Sequence, residues 1–107
     1  CALAHAVCYG LQHFEHVERE YLHGDLVAYG ALVQLAVDGQ LDKARELRAF
    51  LVSLGTPVTL AQMRVSLEKT ALHDALIEAT TGPDMAHIPY PVTQDMVFDA
   101  MQRVETL

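Results

Sequence analysis

The residues best placed to do chemistry lie in the first third of the 107-residue sequence, CALAHAVCYGLQHFEHVEREYLHGDLVAYGALVQ. His5 stands in a run of small apolar residues, and His23 stands directly before Gly24, where a new helix should begin. Neutral imidazole is the form that binds divalent metals, and the positive end of a helix dipole favours the neutral ring at a helix N-terminus. Two helices joined by a connection of this length can return antiparallel and bring the two rings together. The pair His5 and His23 is therefore the candidate metal site. A catalytic zinc usually takes three protein ligands and keeps one open position, so two histidines require a further ligand from elsewhere.

The other candidate groups each have a plainer reading. Cys1, His5 and Cys8 fall on one helical stripe by the i, i+4, i+7 rule, which keeps a thiolate-containing metal site open. Small cysteines on an apolar helix face more often serve packing. Seven residues apart on a helix, the two cysteines differ by about 10 Å in rise, too far for a disulfide, which favours a reducing compartment. His13 and His16 lie among Glu15, Glu18, Arg19 and Glu20, a pattern expected of a solvated face or loop. His73 has an acidic neighbour in Asp74, but adjacent helical residues do not face each other, so a surface histidine is expected. His87, in a proline-containing segment, either carries function or fixes its loop by bonding a helix end. Met85, Met96 and Met101 read as flexible core fillers.

The elements that must position these groups are helical. The first residues form an Ala-rich helix, followed by a polar linker. A helix over about 24–37 is apolar on nearly every side, as a central bundle helix is, and Gly30 marks a close approach by another helix. Asp38-Gly39 makes a turn. A helix over about 41–54 places Leu41, Ala44, Leu47, Leu51 and Leu54 on one face, with Gly55 as its C-cap and Pro57 beyond it. A single turn is expected over 59–62. Ser66 is read as the N-cap of a helix ending at Thr81-Gly82-Pro83, with Leu67, Ala71, Ala75, Ile77 and Ala79 among its apolar positions. Pro89 and Pro91 make 84–92 an extended loop, and Thr93 caps a last helix through about Val104 with Met96, Val97, Met101 and Val104 inward. The fold class is all-α, a helical bundle.

Composition narrows the function. A formal net charge of −7, from 7 basic and 14 acidic residues, excludes nucleic acid and anionic membranes as partners, since both need a basic face. No apolar run is long enough to span a bilayer. The length suits one domain, 1–107. No glycine-rich phosphate loop or nucleophile elbow is present, so no residue of this chain is assigned a catalytic or NAD-binding role. A start at Cys with helical pattern already under way reads as a piece of a longer polypeptide.

The segments His-Ala-Val-Cys-Tyr-Gly-Leu (5–11) and Tyr-Leu-His-Gly-Asp-Leu-Val-Ala-Tyr-Gly (21–30) resemble the two histidine-bearing segments of the glycerol dehydrogenase-like branch of the iron- or zinc-containing alcohol dehydrogenases. Their separation fits that branch, and LGTPVTLAQM and a late Ala-His-Ile-Pro extend the likeness at lower specificity. The resemblance implies the C-terminal helical domain of the dehydroquinate synthase-like/iron-containing alcohol dehydrogenase fold, with an N-terminal NAD-binding α/β domain lying outside these residues. It implies a zinc or other divalent ion, iron included, held by His5, His23 and an aspartate upstream of this segment. That ion would hold the hydroxyl of a small polyol, alcohol or hydroxy-acid substrate while NAD, bound mainly by the other domain, accepts the hydride. It further implies a cytoplasmic homo-oligomer. Cys8 stands where glycerol dehydrogenases commonly carry a second histidine, and Asp25 where they commonly carry Glu. By this resemblance Cys8 could line the substrate side. A dehydroquinate synthase-like lyase domain, whose family carries a similar LHG segment, and a non-catalytic helical interaction domain with structural histidines remain alternatives.

Overall fold

A computed structural model describes residues 2–81 and 91–107. Six helices occupy them in the order α1 (Ala2–Leu11), α2 (Glu15–Glu20), α3 (His23–Val37), α4 (Leu41–Ser53), α5 (His73–Thr81) and α6 (Gln94–Glu105). There is no strand among the described residues, so the all-α expectation holds. The expected roles of Cys1, Met85 and His87 fall outside the described residues, as does most of the expected 84–92 loop.

α3 is the centre of the bundle and touches α1, α4 and α6, while α5 packs against α1 and α6. Its near-uniform apolarity has this cause: Leu26, Tyr29, Leu32, Val33 and Ala36 are buried toward several neighbours rather than one. Gly30 performs the expected close approach. A Cβ built there would lie 2.3 Å from the Ala4 carbonyl oxygen of α1. On the other side of α1, a Cβ at Gly10 would lie 2.6 Å from the Ala75 oxygen of α5. Two glycines thus let α1 sit backbone-to-backbone between α3 and α5.

The turns follow the glycine pattern. Gly39 and Gly55 have φ of +75° and +76°, the left-handed region that L side chains rarely adopt, and they end α3 and α4. Thr93 caps α6 as expected, accepting from the Met96 N–H at 3.2 Å. Val97, Ala100, Met101 and Val104 bury their faces against the core.

Four expectations are corrected. Residues 15–20 form a short helix rather than a linker: Val17 is buried, and the Phe14 carbonyl accepts from the Val17 and Glu18 N–H groups. His16 is not a surface residue, because its Nε2 lies 3.0 Å from the Met63 carbonyl and donates to it. Helix α5 starts at His73, not after Ser66. The stripe that packs is Leu72, Ala75, Leu76 and Ala79, and Ala71 and Ile77 fall off it and are exposed. Leu54, expected inward, is 62% exposed because α4 ends before it and its backbone serves as the C-cap. His13 and His73 are exposed, as expected.

Candidate metal centre

α1 and α3 run antiparallel. At one end the Ala4 N–H donates to the Gln34 side chain at 3.3 Å, and at the other Cys8 meets His23. The short α2 makes this return possible by carrying the chain back over the bundle. It is tied down where His16 meets Met63 and where the Tyr21 hydroxyl donates to the Gln62 carbonyl at 3.1 Å. His23 is the first residue of α3, and Asp25 accepts the Leu22 N–H at 3.2 Å. Asp25 therefore holds the helix start, a capping rather than ligating role.

The structure brings the two expected residues together. The ring centroids of His5 and His23 are 6.1 Å apart, tilted by 45°. His5 is half-buried and His23 exposed, so the pair opens to solvent on one side. Imidazoles bound to one ion at about 2.1 Å place their ring centres about 5 Å apart. The observed spacing is close to that, and both donors are the nitrogen type that zinc and iron accept. The pair fits as two ligands of one divalent ion. No group of three His, Cys, Asp or Glu side chains is arranged to hold a metal among the described residues.

Two further side chains complete the cluster. The Sγ of Cys8 is 3.3 Å from Nδ1 of His23 and 3.8 Å from the His23 carbonyl oxygen. Cys8 is 0% exposed, and burial pushes its thiol up to about 11. It is thus closed off from solvent behind the His23 ring and does not line an open substrate face, the role that the resemblance suggests for it. Tyr9 occupies that exposed side instead, its ring 5.9 Å from that of His23 and 44% exposed. Sequence reasoning misses Tyr9, although its place four residues after His5 puts both on one helix face.

No family model matches the chain. Among curated proteins it is 36% identical over 107 residues to hydroxycarboxylate dehydrogenase A of Escherichia coli (strain K12), covering 98% of this chain and 29% of that protein. It is 32% identical over 103 residues both to a glycerol dehydrogenase of Pseudomonas putida and to a glycolaldehyde reductase of Halobacterium salinarum. Each of those matches covers 94% of this chain and 28% of the relative. The chain therefore spans under a third of the length of these relatives. Across nearly all its residues, it is a homologue of the glycerol dehydrogenase-like dehydrogenases whose two histidine segments it resembles.

Proposed function

We propose that residues 1–107 are the metal-holding helical part of an NAD-dependent oxidoreductase acting on a small polyol, alcohol or hydroxy acid. The observation that carries this reading is the meeting of His5 and His23, from separate helices, at the solvent-open end of the α1–α3 pair. Support also comes from relatives named as dehydrogenases and a reductase. A divalent ion bound there would supply Lewis acidity to a substrate hydroxyl, and nicotinamide would supply the hydride acceptor. Within this chain, His5 and His23 hold and orient, Cys8 packs behind His23, and Tyr9 borders the open side. The remaining ligand and the dinucleotide site would come from residues outside this chain. Cytoplasmic location and homo-oligomeric assembly belong to the same reading and rest on the resemblance. The adjacency of the two rings is what a shared ion needs, whereas the interaction-domain alternative, in which each histidine bonds a different backbone group, does not require it. No observation favours the lyase alternative.

The test is calorimetric titration of the chain with zinc, against its His5→Ala and His23→Ala variants. Weak binding that either substitution abolishes is expected. Equal binding in all three proteins, or none in any, would remove the site. With zinc, NAD and a diol, this chain should show no turnover; NAD reduction would overturn the assignment of the dinucleotide site to residues outside it.

A further inference from the structure

We infer that Cys8 is the positioning residue for His23: its sulfur accepts the Nδ1–H of the ring and leaves Nε2 as the nitrogen with a free lone pair. This deepens the reading of His5 and His23 as metal ligands and rests on it.

Among the described residues the thiol has two polar neighbours, Nδ1 of His23 at 3.3 Å and the His23 carbonyl oxygen at 3.8 Å. A thiol has one hydrogen and two sulfur lone pairs, and a carbonyl oxygen can only accept. Directing the S–H at the carbonyl turns a lone pair toward Nδ1, so Nδ1 must carry the proton. Metal-ligating histidines as a rule donate their other ring N–H to a neighbouring acceptor, which fixes both tautomer and ring orientation. Carboxylates and backbone carbonyls usually fill that role. Here the position is wholly buried in the apolar core with Leu3, Val7, Leu11 and Leu26, where a carboxylate would carry a heavy desolvation penalty. A thiol offers a lone pair at little such penalty, because free cysteine behaves as a small hydrophobe. The opposite arrangement, S–H donating to Nδ1, would put the ring proton on Nε2 and leave no nitrogen free for a metal.

The tautomer can be read without any metal. In the full chain carrying ring-15N histidine, with the His23 signals assigned by their loss in His23→Gln, Nδ1 should appear protonated and Nε2 bare above the histidine titration range. A bare Nδ1 would overturn the proposal, whatever zinc does. Cys8→Val removes the acceptor at similar volume, and the protonated-Nδ1 form should lose its dominance; Cys8→Ser keeps an acceptor and should restore it. If the Val variant retains a protonated Nδ1, the sulfur is not what sets the tautomer. In the zinc titration, Cys8→Val should weaken affinity about 10–100-fold, with Cys8→Ser recovering most of it. A wild-type chain that binds no zinc but shows the protonated Nδ1 would sink the ligand reading and leave the Cys8–His23 arrangement standing. Equal zinc affinity in wild type and Cys8→Val would overturn the positioning role.

Discussion

Tyr29 is fully buried on α3, and its hydroxyl has no hydrogen-bond partner among the described residues. An unpaired buried hydroxyl costs about 1–3 kcal/mol of desolvation, and the ring supplies all the packing. Tyr29→Phe should therefore leave stability unchanged or raise it by about 1 kcal/mol, read as a higher midpoint in urea. The same group sets a pH dependence. Burial, and secondly the nearby Glu105 charge, hold its phenol well above the ordinary value of 10.0. Because the raised pKa favours the neutral form in the folded state, its contribution is intact below pH 10 and is lost as pH climbs from there toward the folded-state value. The stability gap between Tyr29→Phe and wild type should accordingly widen above pH 10. A gap that narrows there would mean that the folded state stabilises the phenolate, as a nearby donor or cation would, and would overturn the raised pKa.

The α1–α3 pair carries the metal reading, and its closeness depends on Gly30. The 2.3 Å clash that a Cβ there would make is with backbone at Ala4, which cannot swing aside as a side chain would. Alanine gains about 1 kcal/mol in intrinsic helix propensity, but overpacking costs about 1–3 kcal/mol, so the clash wins. Gly30→Ala should lower thermal stability and, by pushing α1 away from α3, weaken zinc binding as well. Gly24→Ala is the control, since a Cβ at that position would meet nothing within 4 Å, and it should leave stability equal or slightly higher. Matching melting curves for the two variants would sink the packing argument. Gly30 was readable from sequence because a glycine inside a dense apolar helix has few other uses. α3 and α6 were readable for similar local reasons, an apolar density in one and the Thr93 cap in the other. Helix α2 was not, since six residues with one buried side chain are held by tertiary contacts such as His16 to Met63, 47 positions apart. Ser66 has good N-cap chemistry, but the apolar stripe begins at Leu72, and packing decided the helix start. In the candidate site, His5 and His23 could be picked out by residue type. The Cys8–His23 contact could not, because it depends on the rotation of α1 about its axis.

At the scale of the whole molecule, the far edge of the bundle is closed by one carboxylate. Glu105, at the end of α6, accepts from the Leu60 N–H at 2.7 Å and the Ala61 N–H at 3.0 Å. It thereby fastens the turn that leads from α4 toward α5 onto the last helix, 45 and 44 positions away in sequence. The exposed ion pairs Arg64–Glu20 and Lys69–Asp95 also join distant segments, but such pairs contribute under about 1 kcal/mol and are screened by salt. Charge-assisted bonds to backbone donors, of which the one from Leu60 is partly buried and the one from Ala61 exposed, are worth more, about 1.5–3 kcal/mol where the charged partner is lost. Glu105→Ala should thus lower the melting temperature by about 5–15 °C, and Glu105→Gln, which keeps one acceptor oxygen, by less. Among the described residues Glu105 shares no hydrogen-bond partner with Cys8 or His23, and effects at such independent sites add rather than couple. Zinc affinity should therefore stay within about twofold of wild type in Glu105→Ala at temperatures where the variant is folded. A parallel loss of zinc binding would show that the metal pair is held by the bundle as a single cooperative unit, and not by the α1–α3 pair and its glycine contact.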